Sequence, residues 1–326
     1  VPVKPYVRMR FEPFDDREAY LARIYELATA DDAPHFVEAT VFSKERASVF
    51  TAEFTDLESD RDRERLNHFG RWYKPWLHKY LATLLDGGPR EEIWPLTDYL
   101  LRHNRSLFWA VETIIPYGNH PLFRWLLGWM MPPRISFIKF ATTPAIREMT
   151  VMQQVFQDNI IPLNAMGQAI DLAEELFDTY PLLIYPSRLY DRGPHGGQLP
   201  QPAASEIVPG TNFAMYADLG LYGIPRAVRE GRPFDMTRAM RRWEQFMRSV
   251  RGFPFLDADT FMTRDEFAKT FDLTLYDEVR QRYGATEAFP HIYDKIKSDV
   301  DVLRGLDLDS ASEREAAASP DPRGVS

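Results

Sequence analysis

The sequence predicts an α+β fold: an antiparallel sheet with helices on one face, continued by a helical carboxy-terminal region. Two observations predict it. Up to Phe54 the elements run strand, helix, strand, strand, with only a short polar loop between the last two strands. Towards the end, short helical patterns run to about Lys297. Tyr6–Phe14 alternates apolar and charged residues with the period of a strand. Asp15 and Asp16 then open a helical pattern through Tyr20, Ile24, Leu27 and Ala28. Phe36–Phe42 and Ala47–Phe54 are rich in β-branched and aromatic residues, and the polar Ser43–Arg46 between them reads as a hairpin loop.

From Asp60 to Tyr117 the pattern turns helical, broken at Gly87-Gly88-Pro89. Pro132 and Pro133 stop the next helix and lead into a short strand at Ile135–Phe140. Helices are predicted over Pro144–Asn159 and Leu163–Thr179, the second feeding a buried strand at Leu182–Tyr185. Arg188–Gly210 is rich in Pro and Gly without periodicity, the composition of a mobile loop. A strand at Phe213–Leu219, a helix at Met236–Val250 and a strand near Phe255–Phe261 follow. Residues 1–306 then form one unit that ends in the carboxy-terminal helices, and 307–326 a polar, disordered tail. The opening VPVKPYVRMRFEPF reads as the interior of a longer chain, not as a start or a signal peptide.

A chain of 326 residues can bury a sizeable core. Its net charge of -9 argues against a nucleic-acid partner. Without cysteine there is no disulfide, no thiolate nucleophile and no cysteine-ligated metal. Neither GxGxxG nor GxxxxGK[ST] occurs, so the chain advertises no nucleotide site of its own. The histidines are scattered without HExxH, so no metal is predicted, and no GxSxG elbow marks a serine hydrolase. The most apolar stretch, Leu122–Met131, is interrupted by Arg124 and falls short of the ~18 residues a span needs. Phe123, Trp125, Leu126, Leu127, Trp129 and Met130, bordered by Arg124 and Arg134, suit either a Trp-rich turn in a membrane interface or a core helix packed on the sheet.

Polar groups inside an aromatic wall are how small-molecule pockets are commonly built. Arg102, His103 and Arg105 fall together, and Glu112, seven positions after Arg105, lies about two turns along the same helical face. Such a set orients a proton donor, or it is a salt-bridged helix in which nothing reacts. Tyr117-Gly118-Asn119-His120-Pro121 is a turn by composition, with a pocket role or merely a buried Tyr. Asp218 and Asp259 each follow an apolar strand, where carboxylates reach clefts or cap the next helix.

FEPF (Phe11–Phe14), YKPW (Tyr73–Trp76), RHNRSLFW from Arg102, IIPYGNHP, FRWLLGWMMPP, DLGLYGIPR (Asp218–Arg226), DEFAKTFD and AFPHIYDKI occur in order. With these motifs the chain resembles the delta(24)-sterol reductase family, flavoenzymes of the vanillyl-alcohol oxidase type, over roughly Tyr6 to Lys297. The resemblance implies an upstream membrane anchor and FAD-binding domain, with this chain as the substrate-binding cap. It implies hydride passing from NADPH through FAD to a sterol side-chain double bond, while an acid protonates the less substituted alkene carbon. On that reading His103 or Tyr222 is the acid, tuned by Glu112 or Asp259. Arg102, Arg105, Trp109, Tyr117, Asn119 and Tyr185 line the sterol site, and Asp218 and Asp259 touch the cofactor. Two positions depart from the family pattern: Leu256 precedes Asp257-Ala258-Asp259 where a tyrosine is usual, and Arg251 stands for a histidine. They point to a different sterol or lipid alkene. The competing expectation is a lipid-binding or interaction module without activity, since no redox centre is encoded, or a scaffold resting on a membrane through Trp125 and Trp129. The chain alone is expected to hold no FAD tightly and to be cytoplasmic or peripheral on a membrane.

Overall fold

A computed structural model describes residues 2–132, 140, 142–193 and 196–304. Eight strands form one sheet in the order β4-β1-β3-β2-β6-β7-β5-β8, and every adjacent pair is antiparallel. The strands are β1 (Tyr6–Phe14), β2 (Phe36–Val41), β3 (Ala47–Thr55), β4 (Arg90–Pro95), β5 (Val155–Pro162), β6 (Leu182–Tyr190), β7 (Phe213–Gly223) and β8 (Phe253–Pro254).

Three of the longest helices lie on one face. Arg17–Thr29 starts at Asp16, whose Oδ1 accepts from the Ala19 amide at 2.7 Å, the N-cap that the Asp pair predicts. With Met166–Leu176 and Met236–Ser249 it buries Tyr20, Ile24, Met166, Ile170, Met240 and Trp243 against Val41, Val49, Ile161, Ile184 and Leu219 of the sheet. Burying each such side chain stabilises by about 1.5–3 kcal/mol. Strand alternation then sends the intervening residues to the second face. That face carries two smaller cores, one at each end. Val7, Met9, Phe11 and Phe50 lie with Phe69, Leu77, Leu81 and Trp94. Ile160, Ala214 and Tyr216 lie under Phe267, Phe271, Tyr293 and Ile296 of the carboxy-terminal helices. Between these two cores runs a strip of aromatic and acidic side chains.

Three predicted elements differ. Asp60–Tyr117 is not all helical: β4 lies within it, pairing Trp94 with Val7, because Ile93 and Trp94 have an apolar sheet edge to cover. The helix at Pro144 ends at Gln153, and VFQDNIIP is β5, where alternation places Val155 and Ile161 in the helical core. Phe255–Phe261 is irregular, and only Phe253 and Pro254 pair. The loop expected from Arg188 begins later, since β6 runs on to Tyr190, and Ala204–Glu206 forms a 3-10 turn. Pro133, Arg134, the Ile135–Phe140 strand up to Lys139, and the polar tail lie outside the described residues. No described helix is long and apolar enough to cross a membrane.

Candidate functional site

The strip on the second face is assembled by register. Glu38 on β2, Leu183 and Tyr185 on β6, Asp218 and Tyr222 on β7, and Phe156 and Asp158 on β5 each alternate with residues of the helical core. Residues 101–110 are successive turns laid against them. Leu107 and Phe108 take φ of 43° and 62°, a left-handed backbone that costs about 1–2 kcal/mol where there is a Cβ. The Phe108 ring lies between His103 and Tyr222, with centroids 4.6 and 4.9 Å away. The Trp109 Nε1 donates to the Tyr222 carbonyl at 2.6 Å. A Cβ on Gly220 would come within 2.8 Å of the Tyr222 ring. Bare backbone there lets the ring lie along β7 and its hydroxyl donate to Asp158, which faces Gly220 across the sheet.

Two charged groups occupy the strip. The first centres on Glu38, which is 1% exposed. Its Oε2 accepts from Arg102 Nε and its Oε1 meets His103 Nε2, each at 3.0 Å, while Arg102 also donates to the Tyr185 hydroxyl at 2.8 Å. Burial pushes the Glu38 carboxyl up, but Arg102 and His103 outweigh it and hold it below the usual carboxylate range. Burial pushes His103 down against the pull of Glu38. The second group is acidic. Burial and then the negative charge of Asp158 push Asp218 up to about 8. Burial raises Asp158 too, and burial with the charge of Asp158 raises the Tyr222 hydroxyl well above its ordinary value.

No family model matches the chain. Over 298 residues it is 37% identical to the Delta(24)-sterol reductase of Homo sapiens, covering 91% of this chain and 54% of that protein. The Delta(24)-sterol reductase homolog of Caenorhabditis elegans is 36% identical and the Arabidopsis thaliana Delta(24)-sterol reductase 31%, each again over 91% of the chain. The chain is a delta(24)-sterol reductase homologue. It spans about half the length of the curated relatives it matches. Among solved structures, a VAO-type flavoprotein from Myceliophthora thermophila C1 aligns with a TM-score of 0.38 at 12% identity, over 87% of this chain and 46% of that one. A BBE-like protein of Physcomitrella patens aligns at 0.36 and 11%, over 89% and 54%.

In this delta(24)-sterol reductase homologue the strip brings together Arg102, His103, Trp109, Tyr185, Asp218 and Tyr222. Five other expected site residues lie outside it. Arg105 is buried, and its guanidinium donates to the carbonyls of Phe69, Arg71, Lys74 and Pro75 at 2.7–3.0 Å, tying residues 69–75 to the turn. Glu112 does not tune His103. Its carboxylate takes His78 Nε2 at 3.1 Å and Lys79 Nζ at 2.6 Å, and these partners, His78 first, hold it at about 2 against burial. The helical spacing from Arg105 fails because residues 101–110 are turns, not a helix. Tyr117 is 79% exposed. Asn119 Oδ1 accepts from the Trp76 amide at 2.9 Å, in a turn where a Cβ on Gly118 would strike the Trp76 ring at 2.6 Å. Asp259 is bound by Arg147 at 2.6 Å. The core-helix alternative for Leu122–Met131 fails as well: helix Pro121–Leu127 buries none of its residues, and Trp125 and Trp129 are 61% and 67% exposed. Glu38 and Asp158 were missed by the sequence reading. Each is a lone acid inside an apolar strand run, FVEATV and VFQDNIIP, and that pattern is the signal for both.

Proposed function

We propose that this chain is the substrate-facing part of an FAD-dependent reductase acting on a sterol side-chain double bond, with an upstream domain holding most of the FAD and NADPH as reductant. The observation that carries this is 37% identity to a Delta(24)-sterol reductase across 91% of the chain. The strip supports it chemically. Phe108 and Phe156, partly exposed over the buried Trp109, Leu183 and Tyr222, give an apolar, aromatic lining, suited to a sterol and to positive charge developing on an alkene carbon, which ring faces stabilise by about 0.5–2 kcal/mol. Buried acids sit within that lining, where a proton donor is needed.

FAD fits the strip at its ring system only. The half-buried rings of Phe108, Phe156 and Tyr185 and the carboxyls of Asp158 and Asp218 offer stacking and hydrogen-bond partners. The sequence has no glycine-rich phosphate cradle. Bound there, the reduced cofactor would supply hydride. The chain's own residues orient the alkene against the aromatic wall, keep water out and hold the proton. Of the two candidate acids, the surroundings favour Tyr222, because His103 is held neutral by burial and stacked beneath Phe108. Arg102 and Tyr185 act through Glu38 to hold the wall.

The test is NADPH oxidation dependent on desmosterol, using the chain extended upstream to include the flavin domain, with the product identified by mass spectrometry. A product gaining two hydrogens in the side chain is expected. Bound flavin with unreacted desmosterol would shift the reading to another lipid alkene, and tight flavin on the present chain alone would overturn the division between the domains.

A second reading concerns location. Leu122, Trp125, Leu126, Trp129 and Met130 are all exposed along one segment, the composition of an interfacial membrane contact. Flotation with liposomes, lost on Trp125→Ala and Trp129→Ala together, is the expected outcome; flotation that survives the double substitution removes it.

A further inference from the structure

Two carboxyls of the strip have no countercharge among the described residues. Asp158 stands opposite Gly220, and Asp218 lies two residues before Gly220 on the neighbouring antiparallel strand, so the two are diagonal neighbours on one sheet face. Side chains so placed approach to about 7 Å or less. Asp218 is 8% exposed, and its Oδ1 has no hydrogen-bond partner among the described residues. Asp158 accepts from the Tyr222 hydroxyl. No Arg, Lys or His among the described residues is an ion-pair partner of either. The titratable groups facing them are Asp257 from the loop after β8, Tyr222 on β7 and Tyr185 on β6. Tyr185 is the cross-strand partner of Asp218 and leads on to Glu38 with Arg102 and His103. Asp257 adds negative charge, and the positive charge of Arg102 is already taken by Glu38.

Like charges so placed and so buried do not both ionise near neutrality. We propose that Asp158 and Asp218 hold one proton between them and are the proton source for Tyr222. The inference rests on the reductase reading and deepens it. In the step, the Tyr222 O–H bond breaks as a C–H bond forms at the less substituted alkene carbon. The hydride that completes the reduction comes from reduced flavin, which is oxidised. The proton of the carboxyl pair then passes through Asp158 to the phenolate oxygen, and solvent reprotonates the pair. Tyr222 alone is a poor donor, since an ionised Asp158 beside it would hold its proton; a protonated neighbour removes that hold. Tyr222 is the group at the lining, and Asp218 is a positioning residue that acts through Asp158.

The first measurement needs no cofactor. With carboxyl carbons of aspartate labelled by ¹³C, an NMR titration of the chain is expected to show one carboxyl titrating far above the rest. Asp218→Asn and Asp158→Asn each move the remaining carboxyl of the pair towards the ordinary range, and Asp259→Asn, at an arginine-bound site, leaves the raised signal in place. If every carboxyl titrates in the ordinary range, the proposal is overturned whatever the enzyme reduces. The second measurement is the pH profile of desmosterol turnover in the upstream-extended protein. Tyr222→Phe is expected to lose about 10²- to 10⁴-fold at every pH, whereas Asp218→Asn displaces the alkaline limb. A limb that superimposes on wild type overturns the role of Asp218. A displaced carboxyl in a protein that never reduces desmosterol overturns the reductase reading and the delivery step with it, and leaves the shared proton established.

Discussion

Glu38 Oε1 lies 3.0 Å from His103 Nε2 at the centre of a sheet face, joining a strand near the start of the chain to a turn 65 residues on. With Arg102 on the other carboxylate oxygen, this contact anchors the turn whose left-handed residues carry Phe108 to Tyr222. His103 therefore reads as a fixed neutral post, and the strip's acids lie on the far side of Phe108.

Removing Glu38 leaves Arg102 buried without its partner, a situation that costs about 3–5 kcal/mol. Glu38→Gln is expected to lose that much in urea denaturation at neutral pH. Because the folded carboxyl titrates below its unfolded value, its contribution is present above the unfolded pKa and fades as pH falls through the folded one. The gap between wild type and variant should therefore narrow on acidification below about pH 4. A constant gap down to low pH would count against the charged hub.

Arg105 is a clamp, and its loss is a folding defect. Lysine has too few donors in the right fork to replace a guanidinium that serves four carbonyls at 3.0 Å or closer, and a buried carbonyl left unpaired, as at Phe69, costs about 1–3 kcal/mol. Arg105→Lys is expected to lose on the order of 3 kcal/mol by urea denaturation. Unchanged stability combined with weakened sterol binding would return Arg105 to the substrate site.

Strands with clean alternation were legible in the sequence. β1, β2, β3, the start of β6 and the first part of β7 were found because Tyr6–Phe14, Phe36–Phe42, Ala47–Phe54, Leu182–Tyr185 and Phe213–Leu219 carry the period, the branched residues or the apolar run of strands. β4 was hidden because half of REEIWP is charged and only its pairing to β1 reveals it. β5 was hidden because it follows helix Pro144–Gln153 after a single residue, so that Asp158 fell inside the helix predicted over Pro144–Asn159. Of the site, the cluster around Arg102 was legible from local density of polar and aromatic residues, and Tyr222 entered only through the family resemblance. Their partners were not, because Glu38 and Asp158 are brought in by sheet register from distant strands.

Gly220 is expected to tolerate no side chain. A methyl group there collides with the Tyr222 ring, which is hemmed in by Phe108 and Trp109 and has nowhere to move without breaking the hydroxyl's contact with Asp158. Gly220→Ala should cost about 1–3 kcal/mol and lower the Tyr222 phenol towards the ordinary tyrosine range, read by ultraviolet titration. A variant with wild-type stability and an unmoved phenol would place the ring elsewhere.

Asp218 makes a prediction of opposite sign to Glu38. Its folded carboxyl is raised from 3.8 to about 8, chiefly by burial and then by Asp158, so between those values the native state binds a proton that the unfolded chain has released. Stability must then fall as pH rises through that window. The whole interval corresponds to on the order of 5 kcal/mol, of which the titration of Asp158 takes a share. Asp218→Asn keeps the shape of the side chain and removes the titration. The variant should match or trail wild type near pH 4 and exceed it by about 2 kcal/mol or more near pH 9, the two urea-denaturation curves crossing in between. Parallel stability profiles across that range would mean that Asp218 ionises at little cost, and that its neighbours Asp158 and Tyr222 do not lie close enough to restrain it.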